Sequence, residues 1–341
     1  MSAPRRDRIG LAHGGGGQLT DELLDAFVRP VLTNPWLDTR EDSAVLEWGG
    51  DRIAFTTDSF VVQPLEFPGG DIGRLAVSGT VNDLAVAGAR PEALSLALVI
   101  EEGLELDVVR RVLASVAATA QEAGVPVVTG DTKVVGRGQA DRLFINTTGM
   151  GRVAPGVDLG VHRVQPGDRV LVSGTVADHG LAVMLQREGA FGMESTLESD
   201  AAPLNGLVQG LLDACGGDVV FLRDPTRGGL AGVVADLAQE SGLRVVLDEV
   251  TIPIRPETLY AAEILGLDPL DVANEGKVVV VVRPDRAADA LAALQAHPYG
   301  REARVIGRVG EEEDGLCELV TDVGGRRILQ KPYGEELPRI C

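Results

Sequence analysis

The chain has 341 residues, 45% of them hydrophobic and 24% charged, with Lys+Arg 31 against Asp+Glu 51 and a net charge of −20. That length fits about two domains, the composition excludes general disorder, and the acidity argues against nucleic-acid binding and against docking on anionic membranes. Aromatic residues make up only 4%, so a core must rest on Val, Leu, Ile and Ala. Cys215, Cys317 and Cys341 form no Cys-x-x-Cys pair and cannot all pair, which points to a reducing, cytoplasmic setting. The opening MSAPRRDRIG has no signal-like apolar run, and the purest apolar stretch, residues 278–282, is far short of a membrane span.

In chain order, residues 44–48 and 53–57 read as strands. Gly69-Gly70-Asp71 predicts the start of a helix that Asp71 caps and Gly88 stops. An apolar strand follows over 91–100. Residues 107–123 read as a helix capped by Asp107 and ended by Gly124, and 125–129 and 143–147 as short buried strands. Pro155, Gly156, Gly160, Pro166 and Gly167 then crowd one window and mark a domain boundary. This gives an N-terminal domain over 1–155 and a second over 165–330, both mixed α/β. The second is read with strands at 169–173, 219–222, 244–248, 277–282 and 304–309, and helices at 178–188, 203–214, 229–241, 256–265 and 285–296. Residues 331–341, KPYGEELPRIC, form a mobile tail. Pro332, Gly334 and Pro338 oppose helix there, and a surface arm is the default for such a terminus.

One pattern recurs: an apolar strand ends and an Asp follows. IAFTTD places Asp58, VPVVTGD places Asp131 and VVFLRD places Asp224, at strand ends where α/β proteins put their sites. Asp83 sits inside the apolar helix VSGTVNDLAVAGA, and Asp42 precedes the strand at 44–48. Singly, each reads as a turn residue or cap. Together they predict a site for a hard cation such as Mg²⁺, which is commonly held by a few carboxylates plus substrate phosphates. His13-Gly14-Gly15-Gly16-Gly17 suits close backbone approach to an anion, although a flexible linker reads the same way and no Walker A loop or dinucleotide fingerprint is present. Lysine is kept at three positions only, Lys133, Lys277 and Lys331, and Lys133 stands beside Asp131. Cys341 is the last residue. Ten residue steps give the tail a reach of roughly 33 Å, enough to present the thiol outside and also to fold it into a site.

These residues carry a family resemblance. FTTDSFVVQPLEFPGGDIGRLAVSGTVNDLAVAGARP, GVPVVTGDTKVVGRG, VLVSGTVADHGLAVM, RDPTRGGLA, LGLDPLDVANEGK and the terminal LPRIC resemble the HypE family, the carbamoyl dehydratases of [NiFe]-hydrogenase maturation. That family lies within the ATP-binding superfamily of aminoimidazole ribonucleotide synthetase and selenophosphate synthetase. The Cys tail is the most specific of these motifs. Glu41-Asp42-Ser43-Ala44 departs from the family's Asp-Asp-Ala-Ala. The resemblance implies two α/β domains, a homodimer through the N-terminal domains, and ATP and Mg²⁺ near that interface. It also implies a reaction: a HypF-type carbamoyltransferase loads Cys341, ATP-dependent dehydration gives a thiocyanate, and the cyano group passes to iron on a HypC–HypD scaffold. By the same resemblance Asp42, Asp58, Asp83, Asp131 and Asp224 hold the metal. Gly14 to Gly17, Thr57, Asn82, Thr132 and Lys133 meet the nucleotide, with Lys133 steadying the γ-phosphate or substrate oxygen and Glu275 taking the N–H proton. His179 reads as structural, and His162 and His297 as incidental. The competing readings are a selenophosphate synthetase or small-molecule kinase of the same superfamily, and a non-catalytic carrier whose tail only ferries a group.

Overall fold

The computed structural model describes residues 8–32, 34–187, 196–334 and 339–341. Among them the N-terminal region carries α1 (Gln18–Leu23), α2 (Arg29–Leu32), β1 (Ala44–Trp48), β2 (Asp51–Phe60), the short pair β3 (Glu66–Phe67) and β4 (Gly70–Asp71), α3 (Ile72–Val86), β5 (Ala89–Glu101), α4 (Leu106–Ala123), β6 (Val127–Val135) and β7 (Leu143–Val153). The C-terminal region carries β8 (Arg169–Val172), α5 (Asp178–Leu185), α6 (Asn205–Cys215), β9 (Val219–Arg223), α7 (Gly229–Ser241), β10 (Val245–Asp248), α8 (Pro256–Leu265), β11 (Val279–Val282), α9 (Ala287–Ala296), β12 (Arg304–Val309), β13 (Cys317–Val320) and β14 (Arg326–Leu329). The first sheet runs β1-β2-β7-β5-β6, antiparallel except between β5 and β6. The second runs β14-β13-β10-β12-β8-β11-β9, antiparallel except between β10 and β13.

α3 is the axis of the N-terminal region. Asp71 caps it, its side chain accepting the Gly73 and Arg74 N–H groups at 2.7 and 2.9 Å. Gly88 follows its end with φ +74°. The helix is apolar or small all round because it is covered all round. A Cβ on Gly73 would lie 2.5 Å from the Val112 carbonyl of α4, and one on Gly149 of β7 would lie 2.7 Å from Thr80. Leu75, Val77, Val81 and Leu84 are fully buried, each contributing roughly 1.5–3 kcal/mol. α4 is amphipathic, burying Val108, Val112, Val116 and Ala120 at four-residue spacing. One apolar cluster joins the two regions, with Ile72 and Leu75 packed in the same body as Leu181, Leu197 and Ile340.

Three expectations need correction. The segment read as a short buried strand at 125–129 leads into β6, which is exposed along almost its whole length, while Val125 just before it is buried. β6 forms the sheet's edge, so its valines have no second layer over them. Asp107 lies inside α4, which begins one residue earlier after Glu105, without a side-chain cap. β13 and β14 were not foreseen. Their cores are short and mix charge with apolar residues, and pairing with β10 decides them.

Candidate active site

Five separate segments bring acids to one pocket of about 210 Å³, lined among others by Asp42, Thr56, Thr57, Asp58, Asp83, Asp224, Arg227, Glu275 and Cys341. Asp42 precedes β1, Asp58 lies in β2, Asp83 in α3, and Asp224 and Arg227 follow β9. Gly79 makes the meeting of α3 and β2 possible. A Cβ there would lie 2.9 Å from the Phe60 ring, so only glycine lets the helix come this close. Asp83, four residues on and so on the same helix face, then stands against Asp58.

These carboxyls crowd one another. Asp83 and Asp224 are pushed well above the usual carboxylate range, first by burial and then by neighbouring acids: Asp58 then Asp224 for Asp83, Asp42 then Asp58 for Asp224. Asp42 and Asp58 rise as well, burial leading, against the pull of Arg223 and Arg227 respectively. Thr56 ties two of these residues together, its Oγ1 lying 2.7 Å from Asp83 Oδ2 and 3.0 Å from the Asp42 carbonyl oxygen. Arg227 lies against this cluster and is held firmly charged, first by Cys341, then by Asp58, Glu275 and Asp83 against the effect of burial.

Glu275 is 3% exposed. Burial, then Asp224 and Asp200, raise its carboxyl well above the usual range while Arg227 opposes, and its Oε1 has no hydrogen-bond partner in the protein. Its backbone is fixed. The Glu275 N–H donates to Asp200 Oδ1 at 2.9 Å, and Asp200 pairs with Lys277 at 2.9 Å. A Cβ on Gly276 would lie 1.8 Å from the Asp200 carbonyl oxygen, so this loop requires glycine. Asn82 belongs to the same support. Its Nδ2 donates to the Ala202 and Glu275 carbonyls, and its Oδ1 accepts the Leu204 N–H. It therefore positions Glu275 rather than lining the pocket, as the sequence reading had it.

The tail reaches the pocket. Cys341 is buried on its lining, with an oxygen of its main-chain carboxylate accepting the Val61 N–H at 3.1 Å. The tail's root is held by Lys331, paired with Asp21 at 2.9 Å and Asp236 at 3.1 Å. Residues 335–338, which include Pro338 of the LPRIC motif, lie outside the described residues.

Other expected site residues stand apart in a single chain. Asp131, Thr132 and Lys133 are exposed on β6. Asp131 aligns through Ala97 and Asn146 with Ser59, three strand spacings or roughly 14 Å away. There Asp131 pairs with Lys133 at 2.6 Å. Gly14 to Gly17 are not on the lining but beside it, where a Cβ on Gly16 would lie 2.6 Å from Arg227 Cβ. Thr57 is on the lining, its Oγ1 donating to the Thr147 carbonyl at 3.0 Å. Glu41 faces Arg223 at 3.5 Å, beside the Arg223–Asp42 pair at 3.6 Å. Sequence reasoning missed Arg227 and Arg223. The run RDPTR, one arginine just before and one just after Asp224 and Pro225, was the available signal.

The donor set fits a hard cation: carboxyl oxygens of Asp42, Asp58, Asp83 and Asp224 share one pocket. Among the described residues no three His, Cys, Asp or Glu side chains are grouped to hold a metal ion. Among the described residues no helix is long and apolar enough to cross a membrane.

Residues 40–153 match the family model of the AIR synthase related protein N-terminal domain, and residues 165–318 that of the C-terminal domain. The chain is 47% identical over 334 residues to the carbamoyl dehydratase HypE of Rhizobium leguminosarum bv. viciae, covering 98% of this chain and 95% of that protein. Its fold matches a crystal structure of a HypE–HypF complex with a TM-score of 0.86 and 44% identity, covering 91% of this chain and 99% of that one. It matches a HypE structure in complex with ATP with a TM-score of 0.81 and 43% identity, covering 96% and 98%.

Proposed function

The chain belongs to the HypE family of carbamoyl dehydratases, and from that premise we propose that it removes water from a carbamoyl group carried on its own Cys341, with ATP driving the step. The observation that carries this reading is the place of Cys341, on the lining of the pocket that gathers Asp58, Asp83, Asp224 and Glu275.

A HypF-type carbamoyltransferase supplies the load, converting the thiol to S–C(=O)–NH₂. The amide oxygen is a poor leaving group and must be activated. It attacks the γ-phosphorus of ATP, the bond to ADP breaks, and one N–H proton passes to water, giving an imidophosphate S–C(=NH)–OPO₃. Glu275 takes the remaining N–H proton as the C–O bond breaks, leaving S–C≡N and phosphate. Its raised pKa brings it toward the operating pH, where a general base works best. Arg227 meets phosphate charge at the same wall, with Gly14 to Gly17 beside it as a phosphate cover and Thr57 on the lining. Asp42, Asp58, Asp83 and Asp224 would hold Mg²⁺, which when bound neutralises the triphosphate and the charge of the transfer. The cyano group then passes to iron on a HypC–HypD scaffold. Asp131, Thr132 and Lys133 join this site only in a homodimer, supplied by the second copy.

Mass spectrometry of the C-terminal peptide after carbamoylation tests the reading. Addition of ATP should remove about 18 Da, one water, from the modified Cys341. A modified peptide whose mass ATP leaves unchanged would favour the non-catalytic carrier. A selenophosphate synthetase-like activity gives Cys341 nothing to do, and selenide-dependent ATP turnover would be its sign.

A further inference from the structure

The last three residues lie alongside residues 61–63 and are held there by main-chain hydrogen bonds. Cys341 O accepts the Val61 N–H and Arg339 O accepts the Gln63 N–H, both at 3.1 Å. The pairing of 341 with 61 and 339 with 63 is antiparallel. In such a pair the intervening residue turns its backbone groups away from the ladder. Ile340 is 4% exposed, so its outward carbonyl needs another donor. His179 Nε2 lies 2.6 Å from it.

The surroundings fix which ring nitrogen carries the proton. Ser199 Oγ accepts the Ala201 N–H at 3.1 Å and lies 2.8 Å from His179 Nδ1. The Ile340 carbonyl can only accept, so Nε2 carries the hydrogen, and the bare Nδ1 of the neutral ring accepts the Ser199 hydroxyl proton. Burial holds the imidazole neutral. The Phe67 ring meets it edge-on at 5.5 Å.

We propose that His179 is the positioning residue for the dehydration, seating the tail by donating Nε2–H to the Ile340 carbonyl so that whatever Cys341 carries enters the pocket. The purpose of this contact rests on the dehydratase reading; its geometry does not. Val61, Gln63 and His179 all grip main-chain atoms. Such a grip is indifferent to the load, so thiol, carbamoyl and cyano forms of the tail share one seat. Arg339 makes the turn into it, with φ +58° and its Nε donating to the Val61 carbonyl at 3.0 Å.

Cys341 alkylation in the nucleotide-free full chain reads the seat without any chemistry. His179→Leu should raise the iodoacetamide rate at Cys341 about tenfold, with Cys215 and Cys317 still protected. His179→Gln, whose amide N–H₂ reaches the same place, should restore the wild-type rate. The loaded His179→Leu protein should show a matching loss in single-turnover dehydration with ATP affinity unchanged. An unchanged alkylation rate in His179→Leu overturns the proposal, and so does a Gln variant that behaves like Leu. Should His179→Leu fail to fold, ¹⁵N-histidine spectra of the wild-type chain decide, since it holds four histidines. Removing residues 339–341 should shift the His179 Nε2–H signal and open it to solvent exchange; an unmoved signal overturns the assignment. Wild-type protein that seats its tail but never dehydrates it overturns the dehydratase reading alone.

Discussion

Asp83 and Asp224 are held well above the ordinary carboxylate range by burial and by the acids around them, so the nucleotide-free protein keeps protons there that the unfolded chain loses near pH 4. Between those two conditions the folded state binds more protons. Its stability therefore falls as pH rises from the unfolded pKa through the raised folded one. Asp83→Asn abolishes that term. At pH 7 the variant should melt on the order of a few degrees higher than the wild type without nucleotide, and the difference should vanish below about pH 4, as differential scanning calorimetry across pH would record. The same variant should lose Mg-dependent ATP hydrolysis by on the order of 100-fold. Unchanged turnover would remove Asp83 from the metal set. Glu275→Gln keeps the size of the side chain and removes the base. Its tail should stay carbamoylated in the mass spectrum, with dehydration slowed about 10²- to 10⁴-fold, and normal cyanation would assign the base elsewhere.

At the scale of elements, α1 begins on the tail. The first amides of a helix have no partner within it, and here Gln18 N–H donates to the Pro332 carbonyl at 2.9 Å and Leu19 N–H to that of Tyr333 at 3.0 Å. Gly17 permits the contact, since a Cβ would lie 2.3 Å from the Pro332 oxygen. Gly17→Ala must push the two apart, at about 1–3 kcal/mol by the usual scale of overpacking. Hydrogen exchange should quicken over residues 18–32 while β5 and β7 keep their protection, and unchanged exchange in α1 would mean the contact is dispensable. The elements show what the sequence made legible. Asp58 and Asp224 were readable because strand and acid fall within a six-residue run, and Asp83 because a carboxyl in an apolar helix stands out. β6 misled, since VPVV reads the same in a buried strand and on an uncovered edge. Arg227 was one arginine among 28 once the three lysines are set aside. The seat of the tail was beyond reach of any local pattern. Arg339 meets Val61 across 278 positions, and His179 meets Ile340 across 161.

On the scale of the whole molecule, Asp42, Asp58 and Asp83 come from the N-terminal region, Asp224, Arg227 and Glu275 from the C-terminal one, and Cys341 from the chain's end. β6 is the part left over. Its outer edge pairs with nothing among the described residues, Val128 and Val134 are exposed, and an uncovered apolar edge is what soluble chains normally avoid. Lys133 makes an exposed pair with Asp131 in the isolated chain, and a solvent-exposed ion pair adds little to stability. Lys133→Ala should therefore leave stability nearly unchanged. If β6 enters the active site of a second copy, the same substitution should nonetheless abolish dehydration, and complementation reports which chain supplies the lysine. Lys133→Ala and Asp83→Asn proteins should then each be inactive as homodimers. After mixing and subunit exchange, half the dimers are heterodimers. Each of these pairs one pocket that has Asp83 and the partner's Lys133 with one pocket that lacks both. Activity should return to about a quarter of the wild-type value. Mixtures that stay inactive, while exchange is verified by mass, would show that Lys133 does not act across the interface.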